Sequence, residues 1–594
     1  MQGQLSVSRP TPRATLADWL TVERAAYAGI VVLALGLRLY GLGSVPLGPA
    51  EAVQALPAWA AAAGQPYDLT GVSPLLFGLQ WLLFALFDAG DAVARFWPAL
   101  IGGLAPLLFY ALRDRLTRGG ALVGGLLWAV SGVAVFTGRL GLGDSLVAPL
   151  ALALLAAVSV WARQTAASEE TGATSKGMPL RWAALALGLL MISGPTAYTT
   201  LLAGLIAAVW WHGALPGLWA GVKADRRGVL LALLIPVVLG ATSFFLAPTG
   251  LAAAADLLGR WLLGLRPGAD AYGAWEILYR LLLSEPLLVG FGVAGLIWAL
   301  LRRDRFGIWA GMAAGIALLA PLIGRGRHPV DLALVVLPLT FLAGPAVARA
   351  LRPVRLWRDD PEPWLLTTLS LVLLSTAALC LPSAWTPANN VEWRQLYTGI
   401  GIVTAVLAVL VWVAYGVFGN WRTVGQAVPV VLLIFGAAWG VGQVVALSFD
   451  RGAGREAAAL IQTPAPDVVD LAKSVRDLSA LHGGGPRDGK IDLIWPDRPG
   501  DPLLAELRWL LRDHALLRVA AAIPSDPAPL VITPVEDQPL LKDRYSGAEF
   551  PILQTWRPTG LGDFNAYLRW VLYREAKTAP EMQKAILWVD RTQK

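Results

Sequence analysis

The sequence predicts an all-α polytopic membrane protein of about thirteen spanning helices, with a small C-terminal α/β domain outside the membrane. Three observations predict it. The apolar set makes up 56% of the 594 residues, and 62 glycines bring it to roughly two-thirds, against about half for the same set in soluble domains. Charged residues are 15%, where a soluble domain carries about 25%. Long apolar runs recur as far as residue 447 and then stop, giving way to a stretch rich in Asp, Arg, Pro and Gly.

A span needs about 20 mostly apolar residues. The candidates are 25–43, 94–112, 119–137, 145–162, 182–194, 196–212, 229–246, 286–301, 306–323, 330–348, 364–382, 397–418 and 427–447. Gly194-Pro195 divides the fifth and sixth, which read as a bent hairpin or an interfacial element. The first run has no small-residue cleavage site and many runs follow it, so it reads as an anchor and not a removed signal. Residues 1–24 then form a cytoplasmic N-terminal segment, 25–450 the transmembrane domain and 451–594 the outer domain. Lys and Arg set this orientation. With the N-terminus inside, inside segments such as Arg113–Arg118, Lys223–Arg227, Arg302–Arg305 and Arg349–Arg358 hold most of them, and the outside segments few.

The net charge of +7 therefore lies along a cytoplasmic fringe facing anionic lipid, which argues against a nucleic-acid partner. The one cysteine, Cys380, sits in an apolar run, so there is neither a disulfide framework nor a cysteine metal site. Two outer loops, 44–93 and 247–285, are long enough to be functional. In the tail, a helix at about 467–480, a strand at Ile491–Trp495 and a helix at 502–514 alternate. A strand at Pro529–Thr533, another near Ile552–Trp556 and a last helix at 563–576 follow, which suggests a small parallel or mixed sheet.

Ionisable groups beside the spans carry the functional signal, because each is costly in a bilayer unless paired or hydrated. Arg38 ends the first span, where it either snorkels or serves as a fixed cation. Glu51 opens an apolar helix after Pro46-Leu47-Gly48-Pro49, where a carboxylate suits the helix dipole and equally a general base. Arg139 and Asp144 share a short outer turn, as a capped, salt-bridged pair or as charges aimed at the cavity that Glu51 faces. Glu285 follows Tyr279 and Arg280 in a Ser-Glu-Pro helix start. Arg325, Arg327 and His328 form a turn whose guanidiniums suit phosphate.

In this order these residues resemble the GT-C-fold glycosyltransferases. The resemblance is to the family 39 group (protein O-mannosyltransferases and lipid A aminoarabinose transferases), and within it to the flippase-activity-associated membrane proteins. It rests on Leu37-Arg38-Leu39-Tyr40, the acidic motif at Glu51, Ala94-Arg95-Phe96-Trp97-Pro98, the Arg139…Asp144 turn, Phe245–Leu251 through Ser284-Glu285-Pro286, and Gly326-Arg327-His328-Pro329. It covers roughly residues 25–450. It implies transfer of a sugar from a polyprenyl-phosphate donor to a lipid, glycan or protein acceptor on the outer face of the membrane, with inversion; the Ala-, Gly-, Pro-, Arg- and Trp-rich composition and the lack of organelle signals suggest that this is a bacterial cell membrane. Glu51 and Asp144 would supply the carboxylate chemistry. Arg38, Arg139, Tyr279, Glu285, Arg325, Arg327 and His328 would bind phosphate and shape the site. No ligand spacing compels a metal, although two carboxylates leave room for a divalent ion.

One position departs from the pattern. The first-loop pair is normally Asp-Glu, with the Asp as base, and here it is Ala50-Glu51. Either Glu51 or Asp144 takes over that role, or the chain keeps only lipid-sugar or partner binding. A lipid-linked-sugar flippase is the other alternative. It calls for ionisable groups near the midplane and two related halves, and the sequence shows neither.

Overall fold

The computed structural model describes residues 21–592 apart from 172–176, 211–214, 267–273, 324–330, 355–359, 384–389, 450–454, 484, 497–500, 536–540, 542–543 and 557–578. Each of the thirteen apolar runs falls on a helix. Among the described residues six helices are long and apolar enough to cross a membrane, or up to eight if each of two bent pairs is one span. Part of the shortfall from thirteen has a simple cause. Met178–Met191, of 14 residues, rises only about 21 Å, short of a hydrocarbon core of about 30 Å. Val391–Ser448 also contains two of the runs. Gly419 leaves the helical region there (φ −114°, ψ −109°), and the stretch divides into Val391–Tyr415 and Trp421–Ser448.

The centre of the bundle is Leu332–Val354, 72% buried, whereas Val391–Ser448 is 17% buried and turns rows of Leu, Val and Ile outward. Small residues let the central helix approach its neighbour Arg118–Val130: a Cβ on Gly344 would lie 2.5 Å from the Gly120 carbonyl and 2.9 Å from Gly124 Cα. Backbone approach of this kind is how helices pack where lipid supplies no hydrophobic drive.

Two helices break inside the bundle, and the breaks complement each other. Arg118–Val130 and Gly132–Gly138 meet at 60° across Ser131, and Ile277–Ser284 and Pro286–Arg302 at 98° across Glu285. A break leaves orphan carbonyls on one side and orphan N–H groups on the other, and in an apolar interior both must find partners. Arg38 donates to the Trp128, Ala129, Ala134 and Ala34 carbonyls at 3.2–3.3 Å. Glu285 Oε1 accepts from Ser131 Oγ at 2.5 Å and Val133 N at 2.9 Å. A cation thus meets the end of one helix segment and an anion the start of the next, the favourable sense at each dipole end. Arg38 fits because Gly102 and Gly138 line its path, where a Cβ would come within 3.4 and 3.1 Å of its Nε.

The loop 44–93 folds into two helices, Pro49–Ala62 and Pro74–Phe87. Past the last span, a six-stranded mixed sheet runs in the order β1 (Thr463–Pro464), β5 (Tyr545–Thr555), β6 (Glu581–Asp590), β4 (Leu530–Pro534), β2 (Ile491–Ile494), β3 (Leu517–Ala520). β2 pairs in parallel with β3 and β4, and the remaining pairs are antiparallel. The expected strands at 491, 529 and 552 are β2, β4 and the end of β5, and the expected helices at 467 and 502 are Val468–Gly483 and Pro502–Leu510. The helix expected at 563–576 lies outside the described residues.

This domain is docked on the first loop. Ala505 and Trp509 join Ala52, Ala55 and Ala58 in one buried cluster. Trp509 Nε1 donates to Asp91 Oδ1 at 2.7 Å, and Arg512 Nη2 to the Ala89 carbonyl at 2.6 Å.

Candidate functional site

The helix Pro49–Ala62 begins with Gly48 at its N-cap, Pro49 at its first position and Glu51 in its first turn. Glu51 is 3% exposed. Arg95, one turn into Asp91–Leu104, meets it side-on, Nε to Oε1 at 2.7 Å and Nη2 to Oε2 at 2.6 Å. Gly141 N adds 2.7 Å to Oε1 and Gly48 N 3.0 Å to Oε2. A carboxylate offers about four lone-pair sites, and all four are filled. The guanidinium is equally committed, since its other N–H groups donate to the Leu42, Val45 and Pro46 carbonyls. Glu51 and Arg95 therefore form a knot that sets the first loop's shape. Gly141 has to be small here, because a Cβ would stand 3.3 Å from the Ala94 carbonyl.

Against this knot lies a cavity of about 170 Å³. Its floor is Gly41, Leu42, Ser44–Pro46, Ala50 and Glu51, one wall is Phe136, Arg139 and Leu140, and Leu447 and Ser448 at the end of Trp421–Ser448 form another. The C-terminal domain covers it with Ala457, residues 461–466, Val469 and Gln554. Ala50 is exposed toward this space. Three polar atoms on the lining, Ser448 Oγ, Thr463 Oγ1 and Gln554 Oε1, are buried and have no hydrogen-bond partner among the described residues. Buried polar groups are almost always paired, so three orphans around one cavity mark it as a place for a polyhydroxylated or otherwise polar guest.

The sequence-predicted site residues divide. Glu51 and Arg139 line the cavity. Arg139 donates to the Leu37, Arg38, Tyr40 and Gly41 carbonyls at 2.7–3.2 Å, closing the C-terminus of Val22–Leu39, and stacks over Phe449. Asp144 instead accepts from Thr196 N and Oγ1 at 3.1 and 2.6 Å, at the start of Thr196–Trp210, and is not on the lining. Arg38 and Glu285 serve the helix breaks described above. Tyr279 is buried with Leu283, Ala458, Ala459 and Trp556 beneath the outer domain. Arg325, Arg327 and His328 lie outside the described residues. Among the described residues no group of three or more His, Cys, Asp or Glu gathers.

Sequence reading missed Ser448, Thr463 and Gln554, which have no motif and meet only in the folded chain. It also missed Glu506. From Pro502–Leu510 this carboxyl is 1% exposed, and neither oxygen has a partner among the described residues. Burial first, and then the charge of Glu51, push it well above the usual carboxylate range.

No protein-family model and no curated protein matches the chain. Among solved structures, ArnT from Cupriavidus metallidurans bound to undecaprenyl phosphate is similar over 97% of this chain and 98% of its own, with TM-score 0.52 and 16% identity. Its apo state covers 96% and 98%, with TM-score 0.53 and 16% identity. The chain has the ArnT fold. The likeness extends over both chains almost end to end, so it includes the outer domain as well as the helices. An Archaeoglobus fulgidus oligosaccharyltransferase, with TM-score 0.45 and 13% identity over 89% of this chain and 72% of its own, is too distant to add to this. The ArnT fold agrees with the GT-C-like helical bundle and small C-terminal domain expected from the sequence.

Proposed function

We propose that the chain is a membrane glycosyltransferase. It takes a sugar from a polyprenyl-phosphate donor and passes it, with inversion, to a lipid, glycan or protein acceptor on the extracytoplasmic face of a bacterial cell membrane. The N-terminus is then cytoplasmic and the sheet domain outside, and the chain sits with the flippase-activity-associated branch of the family 39 group. The observation that carries this reading is the cavity: three buried polar atoms without partners among the described residues, roofed by the C-terminal domain, on a chain with the fold of a protein crystallised with undecaprenyl phosphate. Ser448, Thr463 and Gln554 receive the sugar hydroxyls. The Arg325–His328 turn remains the proposed phosphate site, because Arg95 and Arg139, and both terminal nitrogens of Arg38, donate to the protein itself. Glu51 is the carboxylate on the lining, and it can accept the acceptor's proton only by releasing a donor. Gly48 N, the longest of the four at 3.0 Å, is the one to release.

A second reading has a specific observation behind it. With alanine at position 50 and Glu51 saturated, a chain that binds the lipid-linked sugar and hands it to a partner fits the same cavity. Purified protein with a labelled polyprenyl-phosphate sugar and candidate acceptors decides between them. Transfer that falls in Glu51→Gln supports the enzyme. Donor binding without turnover, weakened by Ser448→Ala and Thr463→Val, supports the binding reading. Loss of neither function in any of these variants removes the cavity from both.

A further inference from the structure

Behind the wall formed by Ser44, Pro46 and Val469 lies a second cleft, of about 370 Å³, between the first loop and the outer domain. Arg476, Arg487, Arg512 and His514 line it, against Asp91 and Asp513. The two acids offset the three guanidiniums only in part: Asp91 accepts from the neutral Trp509 indole, and Asp513 stands 3.7 Å from Arg487 and 3.8 Å from Arg512. Arg476 makes no hydrogen bond or ion pair among the described residues and is exposed to the cleft. His514 is 8% exposed, and its Nδ1 is buried with no partner among the described residues. Burial keeps its imidazole below the ordinary histidine range, with Asp513 pulling it up and Arg476 and Arg487 pushing it down. This imidazole, beside Arg476 and the loosely paired Arg487, lies in a net positive field.

We infer that this cleft is a binding site for an oxyanion, a phosphate or carboxylate group, gripped by Arg476 and Arg487 and hydrogen-bonded by His514. Guanidinium forks match such groups bidentately. Two features place it in a function. It shares its wall with the sugar cavity, and it opens on the outer domain rather than among the spans. If the transferase reading holds, the group it takes is an anionic substituent on the acceptor, held beside the donor. The binding claim itself stands without turnover.

The test uses the full chain in nanodiscs of uncharged lipid and equilibrium dialysis against labelled pyrophosphate. Wild type binds saturably. Arg476→Ala with Arg487→Ala, both exposed and remote from packing, lowers affinity at least tenfold, and His514→Ala lowers it too. Labelled polyprenyl-phosphate sugar binds all three proteins alike, which separates this site from the sugar cavity. Nanodiscs of anionic lipid distinguish the source: loss of pyrophosphate binding there assigns the group to a lipid headgroup, and its persistence assigns it to a water-soluble acceptor. Equal affinity in wild type and the double arginine variant, or displacement of pyrophosphate by the donor, overturns the inference.

Discussion

Replacing Glu506 by Gln should stabilise the docking of the outer domain at neutral pH and do nothing at pH 4. The side chain is 1% exposed, both oxygens lack partners among the described residues, and the charge influencing it is the negative one on Glu51. Leaving a buried polar group unpaired costs about 1–3 kcal/mol, and more when it is charged. Its folded-state pKa lies above the unfolded value of about 4.3. The folded form therefore holds its proton longer, and wild-type stability is greatest below pH 4. It declines as pH rises above that value, until the native carboxyl is itself ionised. Gln, an uncharged near-isostere, avoids the decline. At pH 7 the gain should be about 1–3 kcal/mol, or roughly 5- to 150-fold slower hydrogen exchange at amides 503–510 if those amides open with undocking. The gain should shrink toward nothing at pH 4. Leu at 506, with no polar atom to bury, should help at both. Exchange in the Gln variant that is unchanged or faster at pH 7, or a gain independent of pH, refutes the reasoning.

Ala50→Asp places a carboxylate with free lone pairs on the cavity wall. Under the transferase reading turnover should rise by about 10²–10⁴, the usual worth of a general base, with donor affinity unchanged; a labelled-sugar transfer assay reads it, and no rise removes position 50 from the proton's path. Trp509→Ala removes a ring that is 1% exposed and its bond to Asp91, at a cost of about 3–5 kcal/mol, so limited proteolysis should release the outer domain faster and donor binding should weaken with it. Asp590 is held near pKa 2 chiefly by Arg544. Its contribution is present above about pH 4 and lost as pH falls through 2. Asp590→Asn should therefore lower protection of the β6 amides at pH 7 by about 1–2 kcal/mol, discounted for the half-exposed Arg544, and much less at pH 2.5.

The helices were legible because burial in lipid writes itself as long apolar runs, and β2 and β4 because buried strands are short apolar ones. What escaped depends on distance along the chain. The run 119–137 reads as one span, yet it bends at Ser131, and the partners that make the bend tolerable are Arg38 and Glu285. Those two residues look like ligand-binding charges precursory to chemistry, since a sequence does not show which carbonyls or amides lie ninety or 150 residues away. Arg95 stands in a quoted motif, but its pairing with Glu51 across 44 residues is a tertiary fact. β6 begins Glu581-Met582-Gln583-Lys584, four exposed residues that carry no burial pattern, and β3 has only four residues, none of them fully buried. The cavity's orphan atoms come from a helix end and two strands, and nothing local announces them.

The cavity beside Glu51 has its floor near residue 50 and its roof beyond residue 455. A ribosome making this protein lays down the floor first and must add some four hundred residues more before the roof exists. During synthesis the growing chain is thus a membrane protein with an open furrow in place of a chamber, and it gains a grip on its guest only when the last stretch folds back onto the first.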